Sequence, residues 1–281
     1  MIHSMFIKNI DQLDCAIWSP DQGIVGRSWA VDIFLDGVLD SNGFVYDFSL
    51  LKKLAKKILK GTMDHALIIP KDHPAIEMSF PGQDIEIDLG EWQYRGPKES
   101  VYLLQVPAVH KEGIARALET HINEALPDSV SGVRIELREE VVNEGTFFQY
   151  THGITGHDGM CQRPFHGHRS IVKIHDNGQR DLNLEQYLCH EILKGSIHII
   201  SESQISKRTD EWIEFSYQAS LGQYSGKVPA DRALVIDGYT SIESITQFLY
   251  QILERKTSSS SSLSLECYEG IGKGSLIIPQ S

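Results

Sequence analysis

Residues 42–62 read NGFVYDFSLLKKLAKKILKGT, and residues 177–196 repeat the pattern as NGQRDLNLEQYLCHEILKGS. Each copy begins with an Asn-Gly turn and a short polar segment, continues with apolar residues at helical spacing, and ends near a glycine. This pattern predicts one amphipathic helix over residues 50–59 and another over residues 184–193. The chain is therefore expected to contain two copies of one structural unit.

Residues that favour helix ends flank both predicted helices. Ser49 and Asn183 stand at the starts, where their side chains can accept hydrogen bonds from the first free N–H groups of a helix. Gly61 and Gly195 follow the apolar stripes and can adopt the left-handed conformation with which many helices end. We therefore predict Ser49 and Asn183 as N-caps and the two glycines as C-terminal stops.

Other segments of the two halves also correspond. Alternating segments flank the predicted helices, a hairpin pattern recurs in each half, and a second amphipathic helix follows each hairpin. The strands are predicted over residues 28–35, 133–139, 169–175 and 263–269, the hairpins over 85–96 and 213–226, and the second helices over 111–126 and 242–255. Each half is expected to be an α+β unit, an antiparallel sheet with helices on one face.

The boundary between the units is predicted in the polar segment 140–145, which gives a first unit of residues 1–142 and a second of residues 143–281. The serine run 258–262 has low complexity, but an alternating strand follows it at once. We interpret the run as a hairpin turn or as the lead into that strand.

Composition limits the classes of protein and partner. The 281 residues are 41% hydrophobic and 23% charged, as in globular proteins, and the net charge of -12 argues against a nucleic-acid partner. No apolar stretch approaches the roughly 20 residues that span a bilayer, so no membrane partner is expected. The cysteines show no disulfide spacing, which favours free thiols in a reducing, cytoplasmic setting. They are Cys15, Cys161, Cys189 and Cys267.

The chemistry of the second half is concentrated in three histidines and one thiol. His166 and His168 flank a glycine, so on an extended strand both rings point the same way, and an adjacent antiparallel strand would bring His152 beside them. Three neutral nitrogens with an open fourth position are typical of a catalytic zinc. The alternative is chance spacing, since the chain has 12 histidines. Cys161 precedes the pair, and a single metal-centred site could use its thiol as well, unless it is a buried inert thiol.

These residues resemble the 6-pyruvoyl-tetrahydropterin synthase family, which includes the 6-carboxy-tetrahydropterin synthases. The matching motifs are His152, Cys161, His166-Gly167-His168, Asp47-Phe48-Ser49, the pair Asp64-His65, and Leu265-Glu266-Cys267-Tyr268-Glu269. The resemblance implies the tunnelling fold, in which units join their sheets into an oligomeric barrel and active sites lie between units. Because open sheet edges need partners, a homo-oligomer of three two-unit chains, or a multiple, is expected.

The resemblance also implies a reaction on 7,8-dihydroneopterin triphosphate, with zinc holding the side chain while triphosphate leaves. The product would be 6-carboxy-tetrahydropterin, which belongs to queuosine and deazapurine synthesis, or 6-pyruvoyl-tetrahydropterin. The implied roles are zinc binding by His152, His166 and His168, a general base at Cys161, an acid pair Asp64 and His65, and a pterin-anchoring carboxylate at Glu269 or, as second choice, Glu139. A glutamate at a strand end is more often only solvated, and Asp64 with His65 has the alternative of a buried structural pair.

Each half departs from the family pattern in a different way. In the first half Val25-Gly26-Arg27 replaces His-Gly-His, and the first histidine falls near Ile17 or Trp18. In the second half the segment that corresponds to Met63-Asp64-His65 is interpreted as Ile197-His198-Ile199, so the Asp-His pair is lost there unless His198 shifts into register. We therefore expect a composite site, with metal and thiol from a second half and the acid pair from a first half. The alternative is a pterin- or purine-binding protein that has lost turnover and keeps a structural zinc.

Overall fold

The computed structural model describes residues 1–142, 146–257 and 262–278. Residues 143–145, where the predicted junction between the units ends, and residues 258–261 of the serine run lie outside the described residues. No helix in the described ranges has the length and apolar character needed to cross a membrane.

The described residues of the first half form strands β1 (His3–Ser19) and β2 (Gly23–Gly37), helix α1 (Phe48–Thr62), strands β3 (Leu67–Pro70), β4 (Glu77–Ser79), β5 (Asp84–Asp88), β6 (Gln93–Pro97) and β7 (Val101–Leu104), helix α2 (Lys111–Asn123) and strand β8 (Val130–Arg138). Those of the second half form β9 (Phe147–His152), β10 (His166–Asp176), β11 (Gln179–Arg180), α3 (Leu182–Gln186), β12 (Ser196–Ser201), β13 (Ile205–Arg208), β14 (Trp212–Ala219), β15 (Gly222–Pro229), β16 (Ala233–Ile236), α4 (Ile242–Lys256), β17 (Leu263–Tyr268) and β18 (Gly274–Ile277). Short 3-10 turns occur at Lys98–Ser100, Met160–Gln162, Glu202–Gln204 and Ala230–Arg232.

The strands form three sheets. The first has the order β7-β3-β1-β2-β8, and the second has the order β16-β12-β9-β10-β17-β18 with β11 on β10. Strand β1 pairs antiparallel with β2 in the first sheet, as β9 does with β10 in the second. On the other side, β1 pairs parallel with β3, and β9 pairs parallel with β12. Helices α1 and α2 contribute to the apolar core of the first sheet, and α4 to that of the second. The predicted α+β architecture is confirmed, and the oligomeric barrel stays a prediction.

The third sheet joins the two halves. It contains both predicted hairpins, β5-β6 and β14-β15, in the order β13-β14-β15-β6-β5-β4. Strand β15 pairs with β6 across the halves, with Gly226 opposite Tyr94. The core beneath this sheet also mixes the halves, since the Trp92 ring packs against Phe165, which in turn packs against Phe215. The sequence predicted the hairpins but not their pairing.

Helix α1 begins earlier than its predicted cap. Asp47, with extended backbone, accepts hydrogen bonds from the N–H groups of Ser49 (2.7 Å) and Leu50 (2.9 Å). Ser49 is therefore already helical, and its prediction as the N-cap was wrong. A carboxylate two residues upstream can satisfy both free N–H groups, which a hydroxyl at Ser49 cannot do once that residue is in the helix.

The corresponding helix of the second half is capped by Asp181 rather than Asn183, because the Asp181 carboxylate accepts from Asn183 N–H (2.9 Å) and Leu184 N–H (3.0 Å). Helix α3 is short and continues as a π-helical turn, Tyr187–Ile192. Gly195 has the predicted left-handed conformation, with φ of 71°.

The prediction for Gly61 was wrong because α1 continues through it to Thr62. The hydroxyl of Thr62 donates to the carbonyl of Ile58 (2.7 Å) inside the same helix. A glycine therefore does not end a helix when the residues after it still form helical hydrogen bonds.

Strands β2 and β10 cross at two glycines. A Cβ atom on Gly167 would lie 2.6 Å from the Cα of Gly26, and one on Gly26 would lie 2.2 Å from the carbonyl oxygen of Tyr150. The two backbones therefore touch, which only residues without side chains permit. This crossing brings β1 and β2 of the first half against the histidine-bearing strand of the second.

Candidate metal centre and active site

Three buried histidines converge at the ends of two paired strands. His152 ends β9 and lies directly opposite His166, which begins β10, while His168 follows two residues later on the same face. Ligand nitrogens of the three rings all lie within 4.8 Å of one another. The antiparallel register therefore produces the cluster that the spacing of these histidines indicated.

Hydrogen bonds fix the orientation of two of these rings. His152 Nδ1–H donates to the carbonyl of Thr240 (2.7 Å), and His166 Nδ1–H donates to the carbonyl of Arg163 (2.8 Å). Burial, together with the charge of neighbouring imidazoles, lowers the pKa of both rings well below the usual value. Both rings are therefore neutral with their Nε2 lone pairs unprotonated.

The remaining nitrogens fit a metal. Within the described residues, Nε2 of His152, His166 and His168 is buried without a hydrogen-bond partner. Buried polar atoms are rarely left unpaired, and imidazoles whose Nδ1–H groups bind carbonyls present Nε2 as a ligand. The donor set suits a metal that accepts three imidazoles, such as zinc.

The two predicted anchoring carboxylates lie in different surroundings. Glu269, just after β17, has Oε1 3.8 Å from His152 Nε2 and 3.9 Å from His168 Nε2. Glu139 lies instead beside Arg169, with Oε2 3.6 Å from Nε, and its side chain is 44% exposed. The chain thus brings Glu269, but not Glu139, to the histidine cluster.

The acid pair of the first half meets the thiol of the second half within one chain. His65 Nδ1 lies 3.0 Å from Asp64 Oδ2, and the His65 ring stacks on His166 with centroids 5.1 Å apart. Nitrogens of His65 and His166 and the sulfur of Cys161 lie within 4.8 Å of one another. Burial alone would lower the pKa of His65, but hydrogen bonds and charge from Asp64 and Cys161 outweigh it and raise the pKa to about 10.

The four cysteines are unpaired and differ in exposure. Cys15, Cys189 and Cys267 are buried, whereas Cys161 is partly exposed. Burial is the main cause that raises the pKa of Cys189 to about 11 and that of Cys267 to about 12. A raised pKa disfavours the reactive thiolate form of these buried cysteines, and Cys161 is the one cysteine of the chain that is not buried.

Asp14 was not singled out from the sequence, yet its side chain lies beside the histidine cluster. Oδ1 lies 3.4 Å from His168 Nδ1 and accepts a hydrogen bond from the Ser28 hydroxyl (2.5 Å), while Oδ2 lies 3.2 Å from Lys273 Nζ. Burial alone would raise the pKa of Asp14, but His168, Lys273 and Ser28 hold it well below the usual range. An aspartate directly before the apolar run Cys15-Ala16-Ile17-Trp18 was the sequence signal that could have identified it.

The backbone of Asp14 reaches the acid pair. Its N–H donates to Asp64 Oδ1 (3.2 Å), and its carbonyl accepts from the N–H of His65 (2.7 Å), which has a left-handed φ of 57°. Arg163 approaches from the second half, with Nη1 3.4 Å from the His65 carbonyl oxygen. Groups from both halves therefore hold Asp64 and His65 beside the histidine cluster.

The first sheet repeats the register of the second without the metal ligands. Ile17 lies opposite Val25 on β1 and β2, as His152 lies opposite His166 on β9 and β10. Ile17 and Val25 are buried in the apolar core. The positions of the first half that correspond to His152 and His166 therefore carry apolar side chains.

The same strand register shows which residues of the second half correspond to Asp64 and His65. Leu67 pairs with Ala16 on β1, and His198 pairs with Thr151 at the corresponding place on β9. His198 therefore corresponds to Leu67, and Ser196 to His65, so the match of Met63-Asp64-His65 with Ile197-His198-Ile199 was wrong by three residues. The His198 ring is buried, hydrogen-bonded to the Thr151 hydroxyl (2.7 Å), and burial lowers its pKa to about 3.

Sequence comparison relates the chain to tetrahydropterin synthases. The sequence profile described as 6-pyruvoyl tetrahydropterin synthase matches residues 11–148, a range that ends before His152. A protein of Methanocaldococcus jannaschii, provisionally named 6-carboxy-5,6,7,8-tetrahydropterin synthase, is 30% identical over 128 residues, which are 45% of this chain and 77% of the relative. A Pyrococcus horikoshii protein with the same provisional name is 22% identical over 117 residues, 42% of this chain and 69% of the relative.

Solved structures give weaker likenesses. The 6-pyruvoyl tetrahydropterin synthase of Plasmodium vivax has 20% identity and a TM-score of 0.39, covering 49% of this chain and 98% of its own. The 6-pyruvoyl tetrahydropterin synthase of Plasmodium falciparum has 19% identity and a TM-score of 0.41, and the match covers 48% of this chain and 90% of that protein.

Proposed function

Because the chain belongs to the 6-pyruvoyl tetrahydropterin synthase family, present as two tandem copies, we propose that it converts 7,8-dihydroneopterin triphosphate with loss of triphosphate. The relatives provisionally named 6-carboxy-tetrahydropterin synthases favour the carboxy-forming type of reaction over the pyruvoyl-forming type. The observation that carries the proposal is the convergence of three buried, unpartnered Nε2 atoms beside a partly exposed thiol and an Asp-His pair.

His152, His166 and His168 would hold the zinc through Nε2. Zinc bound there supplies a Lewis acid for the hydroxyl groups of the substrate side chain. The carbonyls of Thr240 and Arg163 orient two of the rings by accepting their Nδ1–H groups. Such fixed rings bind a metal without first losing rotational freedom, which supports this assignment.

Cys161 is proposed as the base that takes a proton from the substrate side chain. His65 has a pKa near 10 because of Asp64 and Cys161, so it carries a proton at neutral pH and can return one to the product. Asp64 orients the imidazole by binding close to Nδ1.

Glu269 is proposed as the anchor of the pterin ring, because a carboxylate can accept two parallel N–H groups from the ring edge. Its oxygen lies 3.8 Å from His152 Nε2, so a ring held there would have its side chain near the metal. Glu139 is the second choice, since it pairs with Arg169 and is largely exposed.

The deciding experiment incubates the purified chain with 7,8-dihydroneopterin triphosphate, with and without a chelator, and identifies products by mass. We expect a triphosphate-free tetrahydropterin that forms only with metal and whose formation stops in Cys161→Ala. Absence of any metal-dependent product would favour a pterin-binding protein with a structural metal instead. Full turnover by Cys161→Ala would remove the thiol from the proposed mechanism.

A further inference from the structure

A cavity of about 520 Å³ lies between the halves, on the side of the molecule that lacks the metal ligands. Its lining includes Val25, Gln149 and Ser196. In the strand registers, Val25 corresponds to His166, Gln149 to Asp14 and Ser196 to His65. The cavity therefore occupies, in the first unit, the place that the candidate metal centre occupies in the second.

In the first unit, cationic side chains stand at or near the positions that carry metal-ligating histidines in the second unit. Lys194 and Arg232 line the cavity, and Arg27 stands on β2 where His168 stands on β10. Lys194 Nζ donates to the Asp231 carbonyl (2.8 Å), and Arg232 donates from Nε to the Ser196 carbonyl (3.2 Å). These bonds do not neutralise the positive charges, because a carbonyl carries no net charge.

Carboxylates are scarce around these cations. In the described ranges, none of Arg27, Lys194 and Arg232 has a carboxylate within ion-pair distance. The charge of Glu139 acts on Arg27 from further away, and Asp21 is the one acidic residue in the cavity lining. This contrasts with the net charge of -12 for the chain. A local excess of positive charge in an acidic protein favours an anionic ligand at that place.

We propose that this cavity is a second, metal-independent binding site for a small phosphate-bearing anion. Guanidinium and ammonium groups form charge-assisted hydrogen bonds with phosphate oxygens, and Arg232 has further N–H donors beyond those that bind the Ser196 and Gln22 carbonyls. The volume is in the range of small-molecule pockets. Since the first unit lacks the metal ligands, this site does not depend on the proposed enzyme reaction.

The test measures binding of inorganic triphosphate to the full-length, chelator-treated chain by isothermal titration calorimetry. We expect wild type to bind, and Lys194→Gln and Ser196→Asp each to weaken binding about tenfold or more, because one removes a charged donor and the other adds a carboxylate. Lys56→Gln, a change on the exposed face of α1, is the matched control and should bind like wild type. Lys273→Gln removes the cation beside the metal centre and should also leave binding unchanged.

Thermal unfolding of each variant shows that it is folded before titration. The proposal is wrong if metal-stripped wild type does not bind triphosphate, or if Lys194→Gln and Ser196→Asp bind as wild type does. Loss of binding in Lys273→Gln alone would assign the anion to the metal centre and would equally overturn the proposal. None of these outcomes depends on turnover, so they are separable from failure of the proposed function.

Discussion

At Asp14 one side chain and two backbone groups reach both parts of the candidate site. The carboxylate lies beside His168, while the N–H and carbonyl bind Asp64 and His65. Replacing the carboxylate by an amide keeps the shape and the backbone bonds but removes the charge next to the His168 ring. The side chain can therefore be tested separately from the backbone.

We predict that Asp14→Asn lowers zinc affinity about 10- to 100-fold, the usual cost of losing a carboxylate behind a metal-binding histidine. Competition with a chromogenic chelator measures this without turnover. Asp72→Asn, an exposed aspartate, is the control and should bind zinc like wild type. Equal zinc affinity in Asp14→Asn would show that this carboxylate does not position His168.

His65 should behave differently from the metal ligands. His65→Asn is expected to lower kcat by roughly 10²–10⁴ because it removes a proton-transfer group, while the bound zinc per chain stays the same. Steady-state kinetics and elemental analysis of the same sample separate the two effects. His157→Asn changes an exposed histidine and should retain activity. A variant at His65 that loses zinc in parallel with activity would mark this histidine as a ligand rather than an acid.

At the scale of the strand, β1 carries a bulge that a buried carboxylate holds. The register of β1 against β2 shifts between Ile7 and Asp11, and Asn9 within the bulge has a φ of 51°. Asn9 N–H donates to Asp32 Oδ1 (2.8 Å), and Arg138 Nε donates to Asp32 Oδ2 (2.7 Å). Burial would raise the pKa of Asp32, but Arg138, Asn9 and Lys8 outweigh it and lower the pKa to about 2.

We predict that Asp32→Asn lowers the free energy of unfolding by about 2 kcal/mol at pH 7, the scale of hydrogen bonds to a charged group. A carboxylate with a depressed folded-state pKa stabilises the fold above its unfolded pKa of about 4, and this stabilisation is lost as pH falls towards 2. Urea unfolding at pH 7 and at pH 3 should therefore show a smaller difference between wild type and variant at the lower pH. A difference that stays constant over this range would contradict the assignment to the Asp32 charge.

The glycine crossing between β2 and β10 gives a second prediction at this scale. Gly167→Ala should destabilise the protein by about 2 kcal/mol or more, because its Cβ would meet the backbone of Gly26, which cannot move aside. Gly61→Ala is the matched control: its surroundings are open and it lies in α1, so alanine should stabilise by about 0.5–1 kcal/mol. Denaturant unfolding measures both, and similar stabilities for the two variants would contradict close contact at the crossing.

Local patterns predicted the elements better than the contacts between them. Helical spacing and strand alternation identified α1, α2, α4 and the hairpins, since these depend on neighbours in sequence. The role of Asp14 and the crossing of Gly26 with Gly167 depend on residues more than a hundred positions apart, which one sequence does not reveal. The three histidines were identifiable because two paired strands bring them together, and strand pairing follows a simple register.

At the scale of the whole molecule, the candidate site is assembled within one chain. Asp64 and His65 come from the first half and Cys161 from the second, and the three residues lie together within a single chain. We predict that co-expressed His65→Asn and Cys161→Ala chains do not restore each other's activity, because no single chain then holds both the imidazole and the thiol. Recovery of turnover in the mixed protein, absent from either variant alone, would show that the groups meet between chains.

The division of the site between the halves also has a consequence for the history of the gene. On the proposed function, each copy has lost what the other retains: the first has no metal ligands, and the second has Gly195 and Ser196 where the acid pair should be. Deleting either copy would therefore remove a different essential group. After these two losses, reduction to a single copy is no longer neutral, and the duplication is irreversible by simple deletion.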